Sequence, residues 1–367
     1  MVFHSEVLSA HGSDEKRWRD LLDKIPKKDI YFTPEYAKLF EKTEGKARER
    51  FGGEAELFFY GNDKNYIIHP IFKKKINDLP FYSGETLMYD AVSPWYYGGP
   101  LAFLTNKDNE KELFGGFFTE FHNHCAQNNI ITEFIRLHPI IKNHLPLIDF
   151  VKLEKRWEIV YVDLTQDEET IWNNFKKENR KAIRKAQTSN IEIVLTSKRE
   201  DIEKSYEIYL NAMKRMNADE SYFFSKKFYI GIFELLKDNV QLFIAKHGGE
   251  TIAASLLLGM GDLANDYLRA SRPEFLNMRP NNLLVYHIIL WAKENGYRFF
   301  SLQGGQSKDD GILRFKLTFS DNTADYFTYS KIHDESKYRM LCEARDRYDK
   351  LSGKAIVQSD YFPYYRR

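Results

Sequence analysis

The sequence predicts an α/β protein built from two related domains, each with a mixed, mainly antiparallel sheet and helices on its faces. A chain of 367 residues is long enough for about two domains. Its 43% hydrophobic content, with 28 Phe, 23 Tyr and 5 Trp, supplies enough apolar material for two cores. The same order of helices, hairpin, strand, helix and strand occurs in both halves, with an extra helix and longer connections in the second. The repeat is therefore a pair of domains and not a short-period solenoid.

The first half opens with helical patterns, the second of which has Thr33 as its cap and Pro34 at its first position. Two β-rich runs then meet at a turn beginning at Gly61, which predicts a hairpin. The predicted helices span 18–23, 34–43 and 107–128, and the predicted strands are AELFFYG, NYIIHPIFKKK, the LAFL end of YYGGPLAFL and IITEFIRL.

The second half repeats this order around a hairpin turn at Gly248-Gly249. Its predicted helices span 168–187, 200–216, 226–237 and 280–295, and its strands are VQLFIAK, TIAASLLLG, LANDYLRAS, YRFFSLQGG and TADYFTYSKI. A charged helix over 335–351 ends the chain. We expect the first domain at 1–155, the second at 156–334, and the segment 335–367 packed back on the first domain.

Composition excludes several classes of function. Lys and Arg number 54 against 53 Asp and Glu, so no basic field over the whole protein indicates binding to duplex DNA. Two cysteines exclude a disulfide scaffold and a four-cysteine zinc site. The motif His122-x-His124-Cys125 has adjacent ligands that would diverge on a helix, so we predict no metal. The longest apolar run, 252–260, is too short for the ~18–20 residues of a membrane span, and no secretory signal is visible. We therefore expect a cytoplasmic protein.

The most concentrated charge lies in FKKENRKAIRKAQ, where six cations face one acid within ten positions. Helical spacing predicts two stripes, at 176/180/184 and at 177/181/185. Like charges four residues apart repel, so an anion against this face would relieve the repulsion. One interpretation is a groove for the phosphates of a nucleotide-linked substrate or an RNA end, with Arg180, Lys181 and Arg184 as ligands. The other is an ordinary solvated helix face.

The segment GGQSKDDGILRFKLTFS suggests a second site. Gly304 and Gly305 end a strand, a polar loop follows, and alternation predicts a new strand with Arg314 and Lys316 on one face and Phe315 on the other. Two cations returning beside a glycine-rich strand end suit a phosphate or an oxyanion. The alternative is an edge strand that lysine protects from aggregation.

The run RASRPEFLNMRPNN precedes the helix predicted at 280–295. Free backbone N–H groups and the dipole at such a helix start bind anions, although most starts are ordinary caps. We add Arg269, Asn281 and Asn282 to the candidate substrate-binding residues on this basis.

These motifs together resemble the Fem family of FemABX-type peptidyltransferases. The residues that carry the resemblance are YYGGPLAFL, ENRKAIRKA, DYLRAS, RPNNLLVYHIILWAKENGYRFFSLQGG and GILRFKLTF, and they span about 30–330. The resemblance implies two tandem acyltransferase domains of the GNAT type. It also implies that the pair Phe315-Lys316 lies beside the acceptor channel, that Lys316 is the catalytic candidate, and that basic residues of the facing helix contact substrate phosphates.

Two departures from the family pattern refine this expectation. The long coiled-coil arm of some Fem members is missing, so the match is to the compact branch. The basic-x-x-Gly-x-Gly loop that holds the CoA pyrophosphate in GNAT enzymes does not precede the helix at 280–295, which weakens acyl-CoA as a donor.

The resemblance implies an N-acyltransferase that forms an amide bond on an amine of a cell-wall precursor or an envelope amino sugar. Its donor would be an aminoacyl-tRNA or acyl-CoA, with no permanently bound cofactor, and its acceptor a phosphate-bearing small molecule or glycan. Positioning supplies about 7–11 kcal/mol for such a reaction, whereas a general base adds about 10²–10⁴-fold, so the lack of an evident catalytic dyad is no obstacle. The alternatives are an acyl-CoA-dependent N-acetyltransferase of the same fold and a non-catalytic module that binds RNA or an anionic glycan.

Overall fold

The structure is a computed structural model that describes residues 3–305, 311–356 and 359–367. The described strands form one mixed sheet of thirteen strands, in the order β1-β2-β3-β4-β6-β13-β7-β12-β11-β10-β9-β8, with β5 paired to β3. The strands are β1 (His4–Ser9), β2 (Glu54–Gly61), β3 (Asn65–Lys75), β4 (Tyr89–Val92), β5 (Leu101–Leu104), β6 (Ile130–Arg136), β7 (Glu154–Asp163), β8 (Ile191–Thr196), β9 (Val240–His247), β10 (Glu250–Met260), β11 (Leu263–Ser271), β12 (Phe299–Gly304) and β13 (Thr323–Ile332).

Helices cover both faces of this sheet. They are α1 (Gly12–Lys24), α2 (Pro34–Glu41), α3 (Gly45–Phe51), α4 (Glu110–Gln127), α5 (Glu168–Asn174), α6 (Lys177–Gln187), α7 (Arg199–Arg215), α8 (Lys226–Leu236), α9 (Pro280–Glu294), α10 (Gly311–Lys316) and α11 (Glu335–Leu351). Thr33 caps α2 as expected, because its hydroxyl accepts a hydrogen bond from the Tyr36 amide. No helix in the described part of the chain is long and apolar enough to cross a lipid bilayer.

The two halves share one topology. In the first, the antiparallel hairpin β2–β3 leads to β4, and a connection that contains the short strand β5 and then α4 joins β4 to the parallel strand β6. In the second, the hairpin β9–β10 leads to β11, and α9 connects β11 to the parallel strand β12. A parallel pair requires such a crossover helix. The predicted α/β class with mixed, mainly antiparallel strand pairing is confirmed, although the described strands form one continuous sheet and not one sheet in each half.

Strand β13 joins the halves into one sheet. It pairs with β6 of the first half through Tyr329 and Ile135, and with β7 through Tyr326 and Trp157. The boundary expected between 155 and 156 falls inside β7, and the division of the chain into domains stays a prediction. After β13, helix α11 places Leu341 in a buried cluster with Ile76 and Ile131 of the first half.

The largest hydrophobic core contains residues of both halves. Phe40 of α2 lies 5.3 Å, centroid to centroid, from Phe228 of α8, and Trp95 lies 5.3 Å from Phe224. Separate cores fill the space under α9 in the second half and under α4 in the first. Because burial of such aromatic side chains dominates core energetics, the two halves pack as one body.

Two predicted elements differ from the structure. The helix expected over 168–187 is two helices, because Phe175 and Lys176 adopt extended backbone and the Lys176 amide donates to the carbonyl of Thr318 at 2.8 Å. The strand expected at Arg314–Lys316 is the helix α10. Strands β1, β4, β7 and β8 were not predicted, since short or charged strands lack a clear alternating pattern.

Candidate active site

The parallel strands β11 and β12 separate partway along their length. They pair at three positions only, from Leu263 opposite Phe299 to Asn265 opposite Ser301. Beyond that point β11 stays bonded to β10 and β12 stays bonded to β7. A gap therefore opens between them at their carboxyl ends, the edge where open α/β sheets bind ligands.

A β-bulge on each strand accompanies this separation. The register between β10 and β11 shifts between Ser255 and Leu257, opposite Tyr267 and Leu268. The register between β12 and β7 shifts between Ser301 and Gln303, and Gln303 has a positive φ of 64°. Bulges bend a strand and redirect its side chains, so both strands change direction where the gap begins.

Helix α10 spans this gap. Lys316 is buried, and its Nζ donates a hydrogen bond to the carbonyl of Gly304, at the end of β12, at 2.6 Å. The neighbouring ring of Phe315 lies 4.7 Å from the guanidinium carbon of Arg269, on β11. The expected proximity of Lys316 to the end of this strand is thus present, although the residues are helical. On a helix, Phe315 and Lys316 project about 100° apart and not to opposite faces.

Arg269 carries a buried hydrogen-bond donor with no partner in the described part of the chain. Its Nη2 lies 3.2 Å from Oδ2 of Asp266, whose other oxygen accepts from the Ser255 hydroxyl at 2.9 Å. Its Nη1 is buried and has no hydrogen bond within that part. An unpaired buried polar group is costly, so an anionic oxygen arriving in the gap would gain a strong contact there.

The start of α9 is held to its neighbours by amide side chains. Asn281 donates to the Ser271 hydroxyl at 3.0 Å, and Asn282 donates to Oδ1 of Asn179, on α6, at 2.8 Å. Asn179 in turn donates to the carbonyl of Thr318 at 3.2 Å. Asn281 and Asn282 therefore fix α9 against β11, α6 and the segment after α10. Their role as substrate ligands stays a prediction.

The basic helix is α6, and the stripes expected at helical spacing are shorter than predicted because Lys176 precedes the helix. Arg180 donates to the carbonyls of Asn173, at 2.8 Å, and Phe175, and so caps the end of α5. Arg184 lies over the ring of Trp172 at 5.5 Å. Lys181 is exposed. In the described residues no hydrogen bond or ion pair links these three cations to Lys316 or Arg269, and phosphate binding by them stays a prediction.

The other candidates from the same motif have different surroundings. Arg314 is exposed on α10. Gly304 lies close to β7, since a Cβ there would be 2.8 Å from Nε1 of Trp157. Gly305 follows it at the edge of the described residues, and the loop expected after it falls on 306–310, outside them.

A buried polar network closes the base of the gap and was not predicted from the sequence. Gln303 donates to Oδ1 of Asn265 at 3.0 Å and accepts from the Tyr97 hydroxyl at 2.6 Å. Asn265 donates to both oxygens of Asp29 at 3.1 Å each. His138 lies 2.9 Å from Asp29 through Nε2, and its Nδ1 accepts from the Ile141 amide at 3.2 Å. His138 is therefore the tautomer that is protonated at Nε2, and both of its ring nitrogens already make hydrogen bonds.

The only sequence signal for this network was the run Leu302-Gln303-Gly304, which we interpreted as a strand end. Isolated Asp, His and Asn residues carry no spacing pattern, because their partners lie more than a hundred positions away.

An aromatic cluster from both halves borders the bulge on β11. The ring of Tyr267 lies 5.5 Å from Trp95 and 5.6 Å from Tyr96, which has a positive φ of 70°. Burial raises the pKa of Tyr267 well above its ordinary value. Its hydroxyl is buried without a hydrogen-bond partner in the described residues. At neutral pH Tyr267 is thus a hydrogen-bond donor and not a base.

No group of three or more metal-ligating side chains occurs among the described residues. His122 and His124 diverge as expected: His122 Nδ1 lies 3.1 Å from Nδ1 of His333, and His124 Nε2 lies 3.7 Å from Oε2 of Glu56.

Residues 173–317 match the family model described as "Acetyltransferase (GNAT) domain". This range contains α6, both strands of the gap, α9 and α10. The second half therefore contains a segment, 173–317, that matches a GNAT-type acetyltransferase domain.

Solved structures extend the likeness to the whole chain. FemX is 14% identical, with a TM-score of 0.66 over 91% of this chain and 99% of that chain. L-PGS from Bacillus licheniformis is 13% identical, with a TM-score of 0.55 over 92% of this chain and 97% of that chain. The C-terminal domain of an Agrobacterium fabrum protein described as a lysylphosphatidylglycerol synthetase is 12% identical, with a TM-score of 0.54 over 92% and 95% of the two chains. No curated protein matches the sequence. The Fem-type resemblance is confirmed for the fold.

Proposed function

We propose that this chain transfers an acyl or aminoacyl group from an activated donor to an amine, in the gap between β11 and β12. The observation that carries this proposal is Arg269. Its buried Nη1 has no hydrogen-bond partner among the described residues, and its guanidinium lies over the ring of Phe315, next to Lys316. Two cationic side chains at diverging parallel strands suit an oxygen that becomes negative during the reaction.

The chemical step is aminolysis of an ester or thioester. The amine lone pair attacks the carbonyl carbon, and the C=O electrons move to the oxygen to give a tetrahedral oxyanion. Collapse of this intermediate re-forms the C=O bond, breaks the C–O or C–S bond of the donor and leaves an amide. The nitrogen loses one proton, which passes to the leaving oxygen or sulfur or to solvent. Arg269 and Lys316 stabilise the oxyanion or a donor phosphate.

The residues around the gap support catalysis by positioning. Asp266 is engaged by Ser255 and Arg269, and His138 uses both ring nitrogens in the buried network. Tyr267 stays protonated, since burial raises its pKa. None of these side chains is suited to act as a strong base. Alignment of an already activated carbonyl with the amine supplies most of the rate increase expected in such a case.

An aminoacyl-tRNA is favoured over acyl-CoA as the donor. The segment before α9, RPEFLNMRP, contains no glycine, and Pro280 removes one backbone donor at the helix start. A pyrophosphate cradle needs close backbone approach and free N–H groups. Asn281 and Asn282, in addition, make hydrogen bonds to Ser271 and Asn179.

For the acceptor we propose an amine on a phosphate-bearing cell-wall precursor or an envelope amino sugar. The whole-chain likeness to FemX and the cations Arg180, Lys181 and Arg184 support this choice.

The test is detection of the product by mass spectrometry. The purified protein is incubated with tRNAs charged with different amino acids, or with acetyl-CoA, and with peptidoglycan precursors or amino sugars as acceptors. A new amide product from charged tRNA is the expected result. Transfer from acetyl-CoA alone would assign the CoA-dependent alternative. Transfer from neither donor would contradict the proposal.

The same assay includes Arg269→Met and the matched control Lys227→Ala. Lys227 lies on the surface of α8, with its side chain 76% exposed. Loss of product with Arg269→Met and not with Lys227→Ala would locate the reaction in the gap.

A further inference from the structure

A second cavity, of about 790 Å³, lies at the opposite end of the β11–β12 pair. Leu263 and Phe299 line it, and they are the first residues of the two strands, whereas Arg269 and Gly304 lie toward the strand ends. Asn265, Asp29 and Gln303 form the buried network between this cavity and the gap. Its volume falls within the range of about 300–1,000 Å³ typical of ligand pockets.

The floor of this cavity is apolar and comes from both halves of the chain. Ile141 and Pro139 meet Leu263, Tyr161, Phe299 and Phe327 there. The rings of Tyr161 and Phe299 lie 5.9 Å apart, and the His144 ring lies 4.4 Å from Phe327. Among the uncharged side chains that line the cavity, Tyr161, His144 and Thr323 can hydrogen-bond to a ligand, and the others are apolar. A hydrocarbon body fits the apolar part of this lining.

The rim carries more positive than negative charge once its ion pairs are counted. Arg298 pairs with Asp262 at 3.5 Å, and Lys28 contacts the carbonyl of Asp23 at 2.5 Å and its carboxylate at 3.4 Å. The rim carboxylate of Asp325 pairs with Lys155 at 2.7 Å.

Two rim lysines remain, Lys27 and Lys142, and neither has an ion pair within the described residues. Lys142 also helps to lower the pKa of His144, after burial, which has the larger effect.

We propose that this cavity binds an anionic amphiphile, with its hydrocarbon chain on the apolar floor and its carboxylate or phosphate head at Lys27 and Lys142. Leu145, which is 55% exposed, lies at the edge of the cavity, and Ile148, which is 60% exposed, continues the apolar surface beyond it. A chain longer than the cavity would cover them. This inference goes beyond acyl transfer and does not depend on it, because the buried network separates the cavity from the gap.

The test measures binding of dodecyl phosphate, dodecanoate and neutral dodecanol to the full chain by calorimetry, below their aggregation concentrations. We expect the two anions to bind more tightly than dodecanol, with an affinity that falls as salt rises. The double variant Lys27→Ala/Lys142→Ala should weaken anion binding about three- to tenfold, since each exposed charge contributes modestly. The matched control Lys204→Ala/Lys227→Ala, on the surface of α7 and α8, should bind as the wild type does.

A second variant tests the floor. Ala324→Phe fills the cavity from β13 and should abolish binding of all three compounds, while the circular dichroism spectrum and melting temperature show that the protein is folded. Equal binding by this variant would overturn the proposal. So would competition by inorganic phosphate as effective as that by dodecyl phosphate, since the site would then recognise the head alone.

Vesicles distinguish the source of the amphiphile. Cosedimentation with phosphatidylglycerol vesicles but not phosphatidylcholine vesicles, lost in the lysine double variant, assigns a membrane lipid. Binding to the free compounds without cosedimentation assigns a free fatty acid or alkyl phosphate. Binding to neither the free compounds nor the vesicles would overturn the inference. As a control, Lys316→Ala should leave all of these binding measurements unchanged.

Discussion

Asn265 donates its side-chain amide to both carboxylate oxygens of Asp29, at 3.1 Å each, across 236 positions of the chain. Asp29 precedes the aromatic segment Ile30–Phe32 of the first half, and Asn265 is the last residue of β11 that pairs with β12. His138 makes a further hydrogen bond to the same carboxylate at 2.9 Å. Residues of both halves thus make hydrogen bonds to one buried carboxylate, that of Asp29, at the base of the gap.

Replacement of Asn265 by Leu should lower the free energy of unfolding by about 1–3 kcal/mol, because the Asp29 carboxylate loses donors while it stays buried. Urea unfolding measures this loss. Asn277→Leu is the control, since Asn277 is exposed. If both variants have the same stability, the contact between Asn265 and Asp29 does not join the halves.

Lys316→Ala should reduce the single-turnover rate of acyl transfer about 10²–10³-fold, the usual effect of removing one group that stabilises an oxyanion. Lys316→Arg keeps the charge but changes its shape and should give an intermediate rate. Because Lys316 also donates to the Gly304 carbonyl, the melting temperature of each variant is measured alongside. A wild-type rate for a folded Lys316→Ala protein would remove this residue from the mechanism.

Arg269→Lys separates charge from geometry at the other side of the gap. Lysine keeps the positive charge but loses the planar group that contacts Asp266 and stacks on Phe315. We expect a rate well below that of the wild type, and a rate for Arg269→Met that is lower still. Single-turnover measurements rank the three proteins. If Arg269→Lys reacts more slowly than Arg269→Met, the positive charge at this position does not contribute to the rate.

Arg180 and Arg184 should give different phenotypes although they are one helical turn apart. Arg180→Ala removes hydrogen bonds to two carbonyls at the end of α5 and should lower the melting temperature. Arg184→Ala removes an exposed cation over Trp172. It should leave the melting temperature nearly unchanged, weaken binding of a phosphate-bearing substrate and flatten its salt dependence. Unchanged substrate binding by Arg184→Ala would make α6 an ordinary solvated helix.

Glu133 should make stability depend on acidic pH. Burial raises its pKa, but hydrogen bonds from His333 and His69 outweigh burial and hold the pKa well below its ordinary value. The Tyr329 hydroxyl also donates to this carboxylate, at 2.6 Å. A depressed folded-state pKa stabilises the protein above the unfolded value of about 4.3, and the stabilisation is lost as pH falls below it.

Unfolding by urea across pH 3–7 checks this expectation. The wild type should lose stability steeply below about pH 4.3, while Glu133→Gln should be less stable at neutral pH and depend less on pH. Glu274→Gln, at an exposed position, is the control. A parallel pH dependence in wild type and Glu133→Gln would assign the acid sensitivity to other groups.

The sequence by itself determined the fold class, the repeated order of elements and the position of most strands and helices. Hydrophobic periodicity and turn residues are local signals, which is why the hairpins at Gly61 and Gly248 and the cap at Thr33 could be predicted. The same local signals gave the wrong element at Arg314–Lys316, because the four alternating apolar and basic residues that end at Lys316 are too few to distinguish a strand from a helical turn.

Only the tertiary structure decided how the candidate residues meet. Arg269 and Phe315 are 46 positions apart in the numbering, and their side chains meet because α10 lies between the diverging strands β11 and β12, which also brings Lys316 to the Gly304 carbonyl. The contacts of Asp29 with Asn265 and His138 likewise depend on packing of one half against the other. A local sequence pattern indicates whether a segment is a helix or a strand, whereas contacts between distant side chains depend on bulges, strand order and burial.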